Sequence, residues 1–239
     1  MDNIAFFWVG ADITIPACLV QSARLVYGED VSIHQLTDTS TPDIPGVSQV
    51  VRSHLSPDIM VARLQAYASL PARDGMVFYC DADCLITSRL GLPALDRHKI
   101  HVTERDNGAA LINAHYPEYY PEFENQTLGA VMPFLFSAMA VFDGSAFFLH
   151  LLDICQQLPA RFHRWYGDQT ALCAAYRAQP EVFERLRFSE YQHIERQEVS
   201  AHRLQELIQS QVKIVHFKGP ASKAFMLQTL SNLRQALDM

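Results

Sequence analysis

The chain has 239 residues, of which 49% are hydrophobic, and it carries a formal net charge of -7 at pH 7. This length and composition support a substantial core, and we expect one α/β domain over residues 1–239. The charge is spread along the sequence, and no Lys/Arg run is long enough to bind a phosphate backbone, so nucleic acid is excluded as an expected partner.

Cysteine usage and hydropathy indicate the compartment. The five cysteines are odd in number and contain no Cys-x-x-Cys pair, which favours neither a disulfide framework nor a zinc site. The N-terminal stretch has an acidic residue, Asp2, where a signal peptide has basic ones, and its apolar runs are interrupted. No later segment approaches the length of a membrane span. We therefore expect a soluble, cytoplasmic protein without a transmembrane segment, and peripheral membrane association stays open.

Hydrophobic periodicity in the first half predicts alternating strands and helices. The expected strands cover 3–9, 31–37, 48–51 and 76–80. The expected helices cover 15–28, with Gly28 at its end, and 56–70, with Ser56 as cap and Pro57 at the first position. This β-α-β-β-α-β order is typical of a mostly parallel, Rossmann-like sheet with helices on both faces.

The second half is less regular. Strands are expected at 98–104, 134–143 and 212–217, and helices at 144–158, at 168–178, at 200–211 with Ser200 as cap, and from about Ser222 onward. A polar, aromatic stretch at 113–130 interrupts this pattern.

Two acidic residues follow the predicted buried strand 76–80. Asp81 and Asp83 are two residues apart, so in an extended segment both carboxylates face the same side and can hold a hard divalent cation. Such a short motif also occurs as surface carboxylates or as a turn cap. Without a metal, we expect the two charges to repel each other.

The stretch "VKIVHFKGPASK" places His216 at the end of a predicted strand. A turn containing Gly219 then leads to Lys223, which we expect at the start of a helix. Imidazole can ligate Mn²⁺, and a lysine beside exposed helix N–H groups can bind a diphosphate. The alternative is a strand-end histidine with a solvated lysine; a P-loop is excluded because its glycine-rich stretch is absent.

The stretch "WYGDQTAL" places Asp168 at the expected N-cap of a helix, with Gln169 beside it. Capping is a sufficient structural explanation for Asp168 but not for Gln169. A polar pair at a helix start can also hydrogen-bond to the hydroxyl groups of a ligand. In the expected strand "FLFSAMAVFD", Ser137 alone interrupts the apolar run.

Together these stretches resemble the nucleotide-sugar glycosyltransferases with the GT-A fold, and within them glycosyltransferase family 8, the glycogenin and galactosyltransferase group. "FYCDADCLI", "GDQTAL" and "HFKGPASK" match, in order, that family's strand with Asp-x-Asp, its Asp-Gln helix start and its His-Phe-x-Gly-x-x-Lys ending. Two departures concern the acceptor side: Ala224 and Phe225 replace a Pro-Trp pair, and Ser137-Ala138 stands where Asn-x-Gly is usual.

The resemblance implies transfer of a sugar, with retention of anomeric configuration, from a nucleotide-diphosphate donor, commonly a UDP-sugar, to a saccharide or other hydroxyl acceptor. It also implies Mn²⁺ or Mg²⁺ as cofactor. The residues it assigns are Asp81, Asp83 and His216 as metal ligands, Gly219, Lys223 and Arg63 near the donor, and Asp168 and Gln169 near the anomeric centre. For Arg63, a solvated helix face is the alternative.

Two other functions fit the same architecture. A sugar-1-phosphate nucleotidyltransferase would need a glycine-rich, basic loop after the first strand, which "FFWVGADITIPA" lacks. A non-catalytic nucleotide-sugar-binding module would not need the whole set of polar residues. Two further groups are left open. The acidic pair Glu104 and Asp106 is interpreted either as lining the donor or acceptor side or as part of a solvated loop. The aromatic side chains are interpreted either as stacking on acceptor sugars or as a covering loop packed on the core: Tyr116, Tyr119, Tyr120 and Phe123.

Overall fold

A mixed seven-stranded sheet forms the centre of the computed structural model, which describes residues 2–112 and 123–238. The strands of the described residues are β1 (Asp2–Phe7), β2 (Val31–Thr37), β3 (Gln49–Arg52), β4 (Met76–Cys80), β5 (Cys84–Ile86), β6 (Ile100–Glu104), β7 (Phe134–Phe142), β8 (Phe183–Leu186), β9 (His193–Glu195) and β10 (Ile214–Phe217). The helices are α1 (Thr14–Tyr27), α2 (Ile59–Ala68), α3 (Leu128–Val131), α4 (Ser145–Gln157), α5 (Ala160–Arg164), α6 (Gly167–Ala178), α7 (Phe188–Tyr191), α8 (Ala201–Gln209), α9 (Pro220–Lys223) and α10 (Met226–Asp238).

The central sheet has the strand order β3-β2-β1-β4-β7-β6-β8. Neighbouring strands run parallel except at β7, which is antiparallel to both β4 and β6. The expected mostly parallel α/β sheet is therefore confirmed. Because one strand is reversed in the middle of the sheet, the carboxyl end of β4 lies beside the amino-terminal half of β7.

Helices cover both faces of this sheet, as expected. Alternate residues of a strand point to opposite faces, so Ile4 and Phe6 of β1 pack with α1 in one core while Ala5 lies in the other. The second core contains Tyr67 of α2 and Phe148 of α4, whose rings are 5.0 Å apart. Burial on both faces explains why β1 and β4 read as continuous apolar runs rather than alternating ones.

A second sheet of three strands, in the order β5-β10-β9, was not predicted from the sequence. In it β10 is antiparallel to β5 and parallel to β9. Helices α8 and α10 pack on this sheet, and Leu204 and Leu233 are fully buried in the shared core. The strand that carries His216 is therefore outside the central sheet.

Several helix boundaries differ from the prediction. Helix α2 begins at Ile59, because the Ser56 hydroxyl accepts the N–H of Asp58 in the preceding turn instead of capping a longer helix. Helix α6 begins one residue early, with Tyr166 at the N-cap in a left-handed conformation (φ 62°). The closing helix is divided into α9 and α10. Ser200 caps α8 as expected, accepting the N–H of Arg203.

Only part of the aromatic stretch falls within the described residues. Tyr116, Tyr119 and Tyr120 lie outside the described residues, whereas the ring of Phe123 packs edge-on against Phe162, 5.5 Å away. In the part of the chain that the structure describes, no helix combines the length and apolar character needed to cross a bilayer.

Candidate active site at the strand ends

The pairing of β5 with β10 brings the Asp-x-Asp motif to His216. Asp83 directly precedes β5, and Cys84, the first residue of that strand, pairs with His216 in β10. The backbone N–H of Phe217 donates to the carbonyl oxygen of Asp83 over 2.9 Å. On the other side, the N–H of Asp81 donates to the carbonyl of Ser137 in β7 over 3.3 Å. The two clusters that are far apart in sequence thus form one site.

Asp83 lies between two basic side chains. His216 Nε2 is 3.1 Å from its Oδ1 and Lys223 Nζ is 2.9 Å from its Oδ2. Burial alone would raise the pKa of the Asp83 carboxyl, but the His216 ring and the Lys223 ammonium outweigh burial and hold this pKa well below its usual value. Asp83 is therefore ionised at neutral pH.

Asp81 is neutralised by a different cation. Arg63 Nη1 donates to Asp81 Oδ1 over 2.8 Å, while Asp81 Oδ2 lies 4.0 Å from His216 Nε2. The Arg63 side chain is only 14% exposed, so it is not a solvated helix face. The expected repulsion between Asp81 and Asp83 is wrong for this structure, because each carboxylate has its own cation.

Arg63 also connects the Asp-x-Asp motif to the start of α6. Its second nitrogen, Nη2, donates to Oδ2 of Asp168, which is fully buried, and its guanidinium lies 4.8 Å from the centre of the Phe136 ring. Asp168 Oδ1 accepts the N–H of Gln169 over 2.7 Å. The interpretation of Asp168 as an N-cap is wrong, because Tyr166 occupies that position and Asp168 lies in the first turn.

Close packing brings the start of α6 to this site. A Cβ on Gly167 would lie 2.8 Å from Cys155 Sγ and still closer to the carbonyl of Phe162, so only glycine fits between α6 and its neighbours α4 and α5. Gln169 Oε1 accepts a hydrogen bond from Arg105, whose Nε donates to the carbonyl of Met132 over 2.9 Å.

Two polar residues at the site were not singled out for it from the sequence: Arg105 and Gln192. Arg105 directly follows β6, and its position at a strand end is the signal that could have identified it. Gln192 is fully buried and contacts His216 Nδ1, but the stretch around it has no recognisable pattern. Glu104, the last residue of β6, pairs at the surface with Arg185 over 3.0 Å, and Asp106 is exposed, so both acidic side chains are solvated.

The turn after β10 differs from the prediction in one respect. Gly219 has φ 96°, a conformation that favours glycine, and it precedes α9. Lys223 is the last residue of the short helix α9, so it is not at the start of a helix as expected. The position of α9 brings the Lys223 ammonium to Asp83.

The donor atoms at this site suit a hard or borderline divalent cation. Two carboxylates and one imidazole converge, with His216 Nε2 within 4.0 Å of an oxygen of each carboxylate. Cys84 lies within 4.8 Å of Asp83 and His216, but burial raises the pKa of its thiol well above the usual value. Metal binding by Cys84 would require loss of a proton that burial opposes, and a thiolate prefers softer ions than Mn²⁺ or Mg²⁺. Oxygen ligands with one imidazole fit Mn²⁺, and also Mg²⁺ with the imidazole less favoured.

Comparisons with known proteins identify the fold. No protein-family model matches the sequence, and no curated protein matches it.

Three solved glycosyltransferases have similar structures. Galactosyltransferase LgtC, solved with donor and acceptor sugar analogues, is 13% identical with a TM-score of 0.56, over 99% of this chain and 96% of that one. GlyE of Streptococcus pneumoniae is 13% identical with a TM-score of 0.57, over 98% of this chain and 62% of that one. The bifunctional glycosyltransferase WbbM is 12% identical with a TM-score of 0.60, over 99% of this chain and 50% of that one. The chain thus has the GT-A fold of nucleotide-sugar glycosyltransferases, as its motifs implied.

Proposed function

We propose that this protein is a metal-dependent glycosyltransferase, carried by a single GT-A domain over residues 1–239. It would move a sugar from a nucleotide-diphosphate donor, with a UDP-sugar favoured, to a hydroxyl of a saccharide or glycoconjugate acceptor. The observation that carries this proposal is the convergence of Asp81, Asp83, His216 and Lys223 at one edge of a GT-A fold.

The residues have distinct roles in the proposed reaction. Asp81, Asp83 and His216 would hold Mn²⁺ or Mg²⁺, which acts as a Lewis acid on the donor diphosphate. Departure of the nucleoside diphosphate increases negative charge on its oxygens. The Lys223 ammonium, which contacts Asp83 at 2.9 Å, would donate to those oxygens. The backbone at Gly219 is open for close approach, since nothing lies within 4 Å of where its Cβ would be.

Asp168 and Gln169 would lie beside the transferred sugar. Both oxygens of Asp168 already accept hydrogen bonds, so its charge is fixed in place by Arg63 and by the N–H of Gln169. Because Asp168 is fully buried, its proposed role is to fix Arg63 and the start of α6 beside the sugar rather than to accept a hydrogen bond from it. The Gln169 amide, oriented by Arg105, can hydrogen-bond to a sugar hydroxyl. We propose retention of configuration, with a covalent intermediate and a same-face attack both open.

Nucleotide binding should depend on the metal. We expect calorimetry to show that UDP binds at least tenfold more tightly with Mn²⁺ than with a chelator, because a cation between the carboxylates and the diphosphate removes their mutual repulsion. Equal affinity under both conditions would contradict the metal site. Slow release of free sugar from a UDP-sugar would then separate an enzyme from a binding module, and stronger binding of UTP with a sugar phosphate would favour a nucleotidyltransferase.

Lys223 should contact phosphate rather than the nucleoside. We expect Lys223→Ala to weaken UDP binding in Mn²⁺ about tenfold or more and to leave uridine binding unchanged, since a hydrogen bond to a charged group contributes about 1.5–3 kcal/mol. Lys213→Ala is the matched control, because Lys213 also pairs with a carboxylate, Glu190, at 3.3 Å but precedes β10, whereas Lys223 follows that strand. Equal losses for UDP and uridine would remove Lys223 from the proposed phosphate contact.

A further inference from the structure

A buried polar chain leads from β7 to His216. The Ser137 hydroxyl donates to Gln192 Oε1 over 2.9 Å, and Gln192 Nε2 contacts His216 Nδ1. Gln192 is fully buried, and Ser137 and His216 are at most 5% exposed. The parallel pairing of β9 with β10, in which His216 is opposite Ile194, holds Gln192 behind the imidazole ring.

The orientation of the Gln192 amide matches one tautomer of a neutral His216 ring. A neutral imidazole has one N–H and one free lone pair. When the Gln192 amide N–H donates to Nδ1 of the neutral ring, the ring proton is on Nε2, which lies 3.1 Å from Asp83 Oδ1. In this state the Nε2 lone pair is not free to bind a metal.

Metal binding at Nε2 requires the opposite tautomer. The proton must then be on Nδ1, and this buried N–H needs an acceptor. Gln192 is the side chain that contacts Nδ1 in the described residues. If its carboxamide turns over, Oε1 accepts from Nδ1–H and the NH₂ group donates to the Ser137 hydroxyl. A hydroxyl can accept as well as donate, so Ser137 is satisfied in both arrangements.

We propose that Gln192 and Ser137 are positioning residues for the metal site, and that the Gln192 carboxamide turns over when His216 becomes a metal ligand. The proposal rests on the metal site of the proposed function and goes beyond it. It explains why a fully buried glutamine faces the back of His216 and why the apolar strand β7 contains a serine at position 137.

The first test is Mn²⁺ affinity, measured in the presence of UDP by the electron paramagnetic resonance signal of free Mn²⁺. We expect Gln192→Leu to weaken Mn²⁺ binding about 10- to 100-fold, the usual effect of losing the partner of a ligating histidine. Gln192→Glu should bind Mn²⁺ at least as tightly as the unaltered protein, because a carboxylate accepts from Nδ1–H and holds the metal-binding tautomer.

The matched control is Gln35→Leu. Gln35 is also fully buried and makes two hydrogen bonds, to the carbonyl of Pro42 and from the N–H of Ile44, each 2.8 Å long, but it lies in β2. We expect Gln35→Leu to lose about as much thermal stability as Gln192→Leu, without a change in Mn²⁺ affinity. If Gln192→Leu matches Gln35→Leu in both measurements, or Gln192→Glu loses as much affinity as Gln192→Leu, the positioning role is wrong.

A spectroscopic test needs no turnover. In ¹⁵N-labelled protein, the His216 ring should show its proton on Nε2 without metal and on Nδ1 with Mg²⁺ and UDP, and His216→Gln identifies the signals. A proton on Nδ1 in both states would contradict the turnover of the carboxamide. Absence of metal binding by the unaltered protein would remove the proposed metal site as well, whereas intact binding with an unaffected Gln192→Leu removes only this inference.

Discussion

Replacement of Asp83 by asparagine is expected to slow sugar release and sugar transfer about a thousandfold. A bound divalent cation stabilises the developing charge of the leaving diphosphate by several kcal/mol, and each 1.36 kcal/mol is a factor of ten in rate. The amide keeps the size of the side chain but removes the charge that binds the cation. Initial rates of donor hydrolysis at saturating Mn²⁺ measure this effect.

The same substitution should lower the stability of the metal-free protein. The pKa of Asp83 is held down by His216 and Lys223, so the ionised form stabilises the folded state at every pH above the unfolded-state pKa, including pH 7. We expect a loss of about 2 kcal/mol, the usual contribution of hydrogen bonds to a charged group. Urea unfolding in the presence of a chelator measures it.

Glu190→Gln is the control for this pair of measurements. This substitution removes a comparable ion pair, between Glu190 and Lys213, but Glu190 is not among the proposed metal ligands. Its activity should stay within a factor of about two of the unaltered protein. Full turnover by Asp83→Asn, or complete unfolding of that variant, would identify the carboxylate as a structural cap.

The main residues of the site were predictable because they follow strands. Asp81 and Asp83 lie in the turn after the buried strand β4, and His216 lies near the end of the buried strand β10. Sheets of this class place the carboxyl ends of their strands around the ligand, which explains the position of the Asp-x-Asp motif. The alternation of strands and helices in the first half likewise determines a mostly parallel sheet. These features depend on local periodicity and on general rules of chain topology.

The partners of those residues were not predictable. The neutralisation of Asp81 by Arg63 depends on the packing of α2 against the central sheet, and the contact of Lys223 with Asp83 depends on the short helix α9. The second sheet is made of strands of three or four residues, too short to give a periodic signal. The contact between Gln192 and His216 was not predictable either, because it depends on the register in which β9 pairs with β10.

Replacement of Arg63 by methionine is expected to destabilise the protein by about 3–5 kcal/mol, because it leaves a buried charge without its partner. Asp168 is fully buried, and Arg63 is the cation that contacts it in the described residues. Methionine preserves an apolar stem that can pack on Phe136, so lost packing contributes little. Urea unfolding of the metal-free protein gives the free energy of unfolding.

The double variant Arg63→Met/Asp168→Asn separates a buried charge from a general defect of packing. Removing the carboxylate as well should recover most of the lost stability, since the neutral amide needs no cation. Arg89→Met is the control: Arg89 pairs with Asp30 at 3.4 Å and lies 5.2 Å from the Tyr27 ring centre, but both charged groups are exposed, so the loss should stay below about 1 kcal/mol. If the double variant is as unstable as Arg63→Met, the coupling between α2 and the start of α6 is not electrostatic. Arg63→Met and the double variant should both lack nucleotide-sugar turnover, because neither has the guanidinium that joins Asp81 to Asp168.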